Sequence, residues 1–220
     1  MSYYKDLNLK IKERFDVNPP FPVTVELCKI AANYCLPKKK ILDLGTGTGI
    51  VGIYLSKIGN EVTSTDINKN SLRLAEENCK INNVTLNLLY SDLYENIFDK
   101  FDVIIFLIPF IQYKHTYSRS FSYLYKKVVP HLVRYYTTKI LYRFQPIKYY
   151  AENTRKEVVF RFLNETRNYL KNNGVVIVDI LKIDLPLLKN RKDIKILEEV
   201  PSKYSSDEFI MVYKYTLHNK

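Results

Sequence analysis

The residues with the clearest chemical potential are four glycines that fall within eight positions. They come directly after a short apolar stretch and open a helical one: Gly45, Gly47, Gly49 and Gly52. A loop of this composition lets the backbone approach a ligand closely and presents N–H groups without partners in the chain. The alternative is a tight turn from strand to helix that binds nothing.

Three aspartates accompany the glycines. Asp43 lies two residues before Gly45, within the first apolar stretch. Asp66 and Asp92 follow the next two predicted strands. Because open α/β sheets bind ligands at the carboxyl ends of their strands, we predict that the three carboxylates converge on one ligand. A simpler alternative remains for two of them, since Asp66 could cap the helix starting near Asn68 and Asp92 the short segment after it.

The elements that would position these residues alternate between strand and helix. Apolar runs of strand length predict seven strands, at residues 40–44, 61–65, 84–90, 101–107, 175–180, 194–200 and 209–215. Helical spacing predicts helices at residues 24–34, 49–57, 70–82, 118–143 and 153–171, the last closed by Asn172-Asn173-Gly174. This order predicts an α/β fold, a Rossmann-like doubly wound sheet that is mostly parallel. The last strand should be antiparallel, because no helix fits before it.

Length and composition favour a single domain. With 220 residues, of which 46% are hydrophobic, the chain can bury one substantial core. We predict one domain over residues 1–220, with an N-terminal helical cap at residues 1–36. Residues 111–150 are predicted to be an insertion that covers the substrate site.

The same features predict a cytoplasmic protein without membrane association. The charged N-terminus lacks the apolar core of a secretion signal, and the longest apolar run, Val103–Ile111, is too short to span a bilayer. Cys28, Cys35 and Cys79 are odd in number and lack metal-ligand spacing. They are predicted to be small buried hydrophobes on helices, so neither a disulfide nor a metal site is expected.

Three short motifs resemble one enzyme family. ILDLGTGTG at residues 41–49 resembles the glycine motif of class I methyltransferases that depend on S-adenosylmethionine (SAM). STDIN at residues 64–68 and SDL at residues 91–93 resemble the second and third motifs of that family, in the same order. The resemblance implies SAM as the cofactor.

It also implies a role for each motif residue. The three loop glycines, Gly45, Gly47 and Gly49, would line the methionine and ribose portion of SAM. Asp43 would lie near its α-amino group, and Asp66 would accept hydrogen bonds from the ribose hydroxyls. The remaining implied cofactor-binding residues are Thr46, Ile67 beside the adenine, Asp92 at the adenine amino group, and Leu93.

A dinucleotide site is the rival interpretation of the loop. In a shifted frame Gly47, Gly49 and Gly52 satisfy G-x-G-x-x-G, and Asp66 could then bind a ribose of a nicotinamide cofactor. That frame begins two residues after the strand ends, however. It also sets Asp43 beside a pyrophosphate, whereas SAM carries an ammonium and a sulfonium and no phosphate.

The flanking sequence resembles the HemK-type branch, whose members methylate a glutamine side-chain amide in release factors. The resemblance lies in FDVIIFLIPF at residues 101–110 and in a helix entry with Pro20, Pro22 and Thr24. Such enzymes, and related ones acting on exocyclic amines of bases, hold the planar NH2 with Asn-Pro-Pro-Tyr. Here the four positions are Leu107, Ile108, Pro109 and Phe110. Leu107 cannot hydrogen-bond an amide.

Candidate catalytic residues lie at the last two of these four positions and shortly after them. Pro109 and Phe110 could wall the acceptor pocket, with the ring stacking on a planar substrate, or they could simply pack the strand end. A hydroxyl acceptor would need a base, for which His115 and Tyr113 are the nearest candidates by sequence.

Residues 111–150 are basic and aromatic. They contain eight Lys or Arg, nine Tyr and no Asp or Glu, and thus supply most of the net charge of +11. Such a segment could bind nucleic-acid phosphates and bases, an acidic small molecule or a protein. An amphipathic helix pair with a solvated face is the plain alternative, and the overall bias towards Lys, Asn, Ile and Tyr is also typical of AT-rich genomes.

The sequence therefore predicts a SAM-dependent methyltransferase whose acceptor is a small molecule or another non-amide group. The alternatives are a HemK-like methyltransferase of protein glutamine or RNA, and a SAM-binding protein without catalytic activity.

Overall fold

A computed structural model describes residues 1–108 and 145–216, with side chains of the second range described from residue 155. The chain divides into two compact units, Met1–Ile108 with Phe162–Lys220, and Pro109–Arg161. The predicted helix at residues 118–143 lies outside the described residues, as do Pro109, Phe110, Tyr113 and His115. A single domain with residues 111–150 as a substrate cover stays a prediction.

The first unit is built on a seven-stranded sheet in the order β5-β4-β3-β6-β7-β9-β8. Neighbouring strands from β5 to β7 are parallel, whereas β9 runs antiparallel to both β7 and β8. The strands are β3 Lys40–Leu44, β4 Glu61–Asp66, β5 Asn87–Tyr90, β6 Phe101–Leu107, β7 Leu170–Leu181, β8 Ile194–Pro201 and β9 Glu208–Tyr215. The predicted α/β fold, with seven strands and an antiparallel last strand, is confirmed.

One helix precedes β3, and others lie between several of the strands along the chain. The described ones are α1 Pro22–Tyr34, α2 Ile50–Lys57, α3 Lys69–Asn82, α4 Gln145–Glu165 and α5 Leu185–Lys189, with 3-10 turns at Lys5–Leu7 and Thr166–Tyr169. Pro22 stands at the first position of α1, where its missing N–H costs nothing. Asn68 caps α3 by accepting a hydrogen bond from the Asn70 amide at 3.0 Å. The predictions for α1 to α3 are confirmed within two residues, whereas the short α5 was not predicted.

The N-terminal residues form an antiparallel hairpin ahead of α1, where the sequence had predicted only a helical cap. Its strands are β1 Ser2–Tyr4 and β2 Leu9–Ile11. Leu9 and Ile11 are fully buried while Lys10 between them is exposed. This alternation of buried and exposed residues has the two-residue period of a β-strand. It was not recognised in the sequence because the neighbouring residues are charged.

The helix predicted at residues 153–171 is wrong at both ends, since α4 begins at Gln145 and ends at Glu165. The helix stops at Glu165, where the Thr166 hydroxyl donates to the Phe162 carbonyl and competes with helical bonding. Leu170 already pairs with Phe101 in the sheet, so Asn172-Asn173-Gly174 lies at an irregularity inside β7.

A second boundary also differs. β5 begins at Asn87 rather than at residue 84, because Asn83 adopts a left-handed conformation at the end of α3 and the Val84 amide bonds to the Cys79 carbonyl.

The prediction that the three cysteines are buried is confirmed. Cys28, Cys35 and Cys79 are all buried free thiols, with Cys35 just past the end of α1 rather than on it. Across residues 1–108 and 145–216, no helix combines the length and apolar character needed to cross a membrane.

Candidate functional site

The loop between β3 and α2 is the centre of the candidate site. Gly45, Gly47 and Gly49 have φ angles of 66°, 56° and 84°, a region that costs other residues energy. A Cβ on Gly49 would lie 2.9 Å from the Ala75 Cβ of α3, so no side chain fits there. The loop is further held by the Thr46 amide, which donates to the Thr65 carbonyl of β4 at 2.8 Å. The backbone conformation therefore depends on these glycines.

The carboxylate of Asp43 lies beneath this loop, inside the protein. Its Oδ2 accepts hydrogen bonds from the Thr46 hydroxyl at 2.6 Å and from the Ser64 hydroxyl at 3.0 Å. The Gly52 amide of α2 is a further donor. The side chain thus joins β3, β4, the loop and α2, and only 3% of the residue is exposed.

Burial changes the acidity of Asp43. Desolvation raises its pKa from 3.8 to about 6, although the hydrogen bonds from Thr46 and Ser64 oppose this rise. The negative charge of nearby Asp66 acts in the same direction as burial. Around neutral pH the group is ionised, and it places a negative charge directly under the loop.

Asp66 ties the end of β4 to the same loop. Its Oδ2 accepts from the Gly47 amide at 2.9 Å, and its Oδ1 accepts from the Asn68 amide at 2.7 Å. Ser71 is a third donor, and burial raises the pKa of the carboxyl group despite these bonds. Since Asn68 is the cap of α3, the alternative role of Asp66 as that cap is wrong. A carboxylate has about four acceptor positions, of which these three donors use three.

The third acid lies on the neighbouring strand end. Asp92 is half-buried and follows β5, which pairs with β4 through Tyr90 opposite Asp66. Leu93 next to it is buried with a φ of 49°, whereas Ile67 after β4 is 59% exposed. The carboxyl ends of β3, β4 and β5 therefore bring all three aspartates to one edge of the sheet. Their convergence on one ligand stays a prediction.

The end of β6 is apolar. Leu107 is its last residue, paired with Asp179 of β7, and Ile108 after it is buried. These are the positions at which amide-methylating enzymes carry the Asn and the first Pro of their motif. No side-chain hydrogen bond to an amide is possible from either residue.

Two contributors, Ser64 and Asn78, were missed from the sequence, whereas Gly52 was singled out there with the other glycines and now has a structural reason. Ser64 lies in the middle of a buried parallel strand, and that unusual position for a hydroxyl was the available signal. Gly52 is explained by packing, because a Cβ there would overlap the Ser64 oxygen and lie 3.2 Å from Asp43 Oδ2. Asn78 of α3 donates to the Thr48 carbonyl of the loop at 2.8 Å, and its sequence neighbours gave no indication of this contact.

Comparison with known proteins agrees with this geometry. Residues 27–134 match the family described as methyltransferase small domain. The release factor glutamine methyltransferase of Lactococcus lactis is 31% identical over 181 residues, which are 80% of this chain and 60% of that enzyme. The chain thus spans about 60% of the length of that relative.

Two further proteins extend the comparison. A putative protein N5-glutamine methyltransferase of Methanocaldococcus jannaschii is 31% identical over 169 residues, covering 76% of this chain and 74% of the relative. The crystal structure of a ribosomal protein L11 methylase from Lactobacillus delbrueckii superposes with a TM-score of 0.63 at 18% identity, covering 91% of this chain and 84% of that one. This last likeness concerns the fold.

Three observations indicate the same family: the order of the strands, the glycine loop with its acids, and the extent of the match to the M. jannaschii protein. The chain belongs to the class I SAM-dependent methyltransferases, enzymes whose methyl donor is S-adenosylmethionine, and lies near their HemK-type branch.

Proposed function

We propose that this chain transfers the methyl group of SAM to a protein, at an acceptor other than a glutamine amide. The observation that carries the proposal is the loop held between two carboxylates, Asp43 beneath it and Asp66 beside it. The apolar end of β6 at Leu107 supports the second part.

The proposed cofactor site is the edge formed by β3, β4 and β5. SAM brings an ammonium and a sulfonium, and two buried carboxylates lower the free energy of a cation there more than they would in water. Asp66 receives a ribose hydroxyl, and Ile67 covers one face of the adenine. The other residues assigned to the cofactor are Asp43, Gly45, Thr46, Gly47, Gly49, Asp92 and Leu93.

A protein acceptor is favoured over a small molecule by the two relatives from L. lactis and M. jannaschii described above. Both are named as enzymes acting on glutamine, one of them in release factors. A glutamine amide, however, needs a hydrogen-bonding partner to direct its nitrogen at the methyl group, and Leu107 offers none. We therefore retain the non-amide acceptor predicted from the sequence and do not retain the small molecule.

Methyl transfer places modest demands on the protein. The nucleophile, the methyl carbon and the sulfur must lie in line, and holding them so supplies much of the rate. Pro109 and Phe110 are proposed to wall the acceptor pocket, and His115 to serve as base if the acceptor is a hydroxyl.

Methyl-labelled SAM tests the proposal. The protein is incubated with labelled SAM and with separated protein, RNA and metabolite fractions of a cell extract, with Asp66→Ala as the matched inactive control. Label should enter the protein fraction, resist nuclease and be removed by protease. Addition of a glutamine-containing release factor should give no label in its glutamine.

The other outcomes have equally distinct meanings. Nuclease-sensitive label would contradict the protein acceptor and favour RNA, which the basic residues 111–150 make the second candidate. Binding of SAM without transfer to any fraction would indicate a non-catalytic binding protein. Cytoplasmic location stays a prediction.

A further inference from the structure

Two asparagines of α3 pair with the backbone of the N-terminal hairpin as another strand would. Asn82 accepts from the Lys10 amide at 3.1 Å and donates to the Lys10 carbonyl at 2.7 Å. Asn78 accepts from the Lys12 amide at 2.7 Å and donates to the Lys12 carbonyl at 3.0 Å. Each side-chain amide therefore replaces one peptide group of a missing neighbouring strand.

The spacing explains why a helix can do this. Residues four apart on a helix are separated by about 6 Å along its axis, and alternate residues of a strand by about 6.6 Å. Asn78 and Asn82 thus match the repeat of Lys10 and Lys12. Both asparagines are buried, so an unpaired amide at either position would be costly.

Asn78 differs from Asn82 in one respect. Its Nδ2 also donates to the Thr48 carbonyl of the glycine loop at 2.8 Å, so a single amide joins the N-terminal segment to the loop. The second hydrogen of Asn82 goes instead to the Asn78 carbonyl, within α3.

The segment beyond Lys12 then runs beside the candidate cofactor site. The Asp16 carbonyl accepts from Nδ2 of Asn68, the residue that also donates its amide to Asp66. The Asn18 carbonyl lies 3.9 Å from the point where a Cβ of Gly47 would stand. Residues 12–18 are therefore adjacent to both the glycine loop and the end of β4.

We propose that Asn78 is a positioning residue for the cofactor. Its side chain fixes the Thr48 end of the glycine loop, and it thereby couples the ordering of residues 12–18 to binding of the cofactor. The inference rests on the proposed cofactor site. Asn82 holds the hairpin in the same manner without touching the loop, and it contributes to stability alone.

The matched pair Asn78→Ser and Asn82→Ser tests this. Each variant loses its paired bonds to β2 or to Lys12, so both should lower the melting temperature. Calorimetry with SAM on folded samples should give affinity about tenfold weaker for Asn78→Ser, the loss expected for one buried hydrogen bond. Asn82→Ser should stay within about twofold of the parent protein, the change expected where no bond to the loop is lost.

Equal SAM affinity in the two variants, with the parent binding normally, would overturn the coupling and leave the proposed function intact. A parent protein that binds no SAM would overturn both.

If Asn78→Ser does not fold, amide exchange in the parent decides the matter. Saturating SAM should slow exchange of the Lys12 amide, which bonds to Asn78, and leave the Lys10 amide, which bonds to Asn82, unchanged; equal behaviour of the two amides would refute the proposal.

Discussion

The glycine loop and the end of β6 occupy the same sheet but differ in chemistry. In the loop region, Asp43 and Asp66 each accept hydrogen bonds from groups of the loop and of β4 or α3. At the end of β6, Leu107 and Ile108 are apolar. The loop region is an interlocked polar network, whereas the end of β6 consists of a half-buried and a buried apolar side chain.

This difference separates binding of the donor from choice of the acceptor. A buried carboxylate costs several kcal/mol unless it is paired, so the network around Asp43 is stable only as a whole. Replacing an amide-binding Asn with Leu carries no such penalty. We therefore expect changes in the loop region to affect SAM affinity and stability together, and changes at Leu107 to leave SAM affinity alone.

The largest effect is expected from Asp66→Ala. It removes an acceptor for the Gly47 and Asn68 amides and for the ribose, and charge-assisted bonds contribute about 1.5–3 kcal/mol each. SAM affinity measured by calorimetry should fall at least about 100-fold. Asp193→Ala, which removes a carboxylate bonded to Arg191 at the opposite edge of the sheet, is the control and should bind normally.

Asp43→Asn tests the buried charge through pH. The pKa of Asp43 is raised to about 6, so the folded protein binds this proton at a higher pH than the unfolded chain does. Its contribution to stability is complete below about pH 4 and is lost as the pH rises through 6. Between pH 7 and pH 4 the parent should gain about 2–3 kcal/mol in unfolding free energy relative to the variant. A difference that does not vary with pH would contradict the buried, ionisable state.

Gly52→Ala tests the packing of α2 against β4. The new methyl group would overlap the Ser64 oxygen and press on Asp43, so the free energy of unfolding should fall by about 2 kcal/mol. Combining it with Ser64→Ala removes the clashing oxygen. The double variant should therefore lose less unfolding free energy than the sum of the losses in the two single variants. Strict additivity of these losses in denaturant unfolding would refute the contact.

Leu107→Asn should have the smallest effect on the donor side. The residue is half-buried at a strand end, so we expect a loss of stability below about 1.5 kcal/mol. SAM affinity should remain within about twofold, since the side chain contributes no bond to the loop region. A large fall in SAM affinity would show that the two regions are not separable.

Much of this architecture could be predicted from short-range patterns. The near-continuous apolar run at residues 101–107 predicted the bounds of β6 correctly, and the clustered glycines located the loop between β3 and α2. Both features are local, because a buried strand and a left-handed turn each impose their residue types directly. Asp43 and Asp66 were found for the same reason, through their positions relative to those elements.

Features that depend on distant contacts were not predictable. The partners of Asn78 are Lys12 and Thr48, which are 66 and 30 positions away in the chain. Asn172-Asn173-Gly174 has the composition of a helix stop, yet the pairing of Leu170 with Phe101 makes it part of β7. In both cases tertiary contacts decide the outcome, and the local sequence gives no sign of them.

The central claim is that the loop between Asp43 and Asp66 binds a cationic nucleoside rather than a phosphorylated one. Calorimetric titration of the parent protein with SAM, and separately with a nicotinamide dinucleotide, tests it most directly. We expect one molecule of SAM to bind per chain, binding to be lost in Asp66→Ala, and no heat to be released with the dinucleotide. Saturable binding of the dinucleotide, with none of SAM, would contradict it.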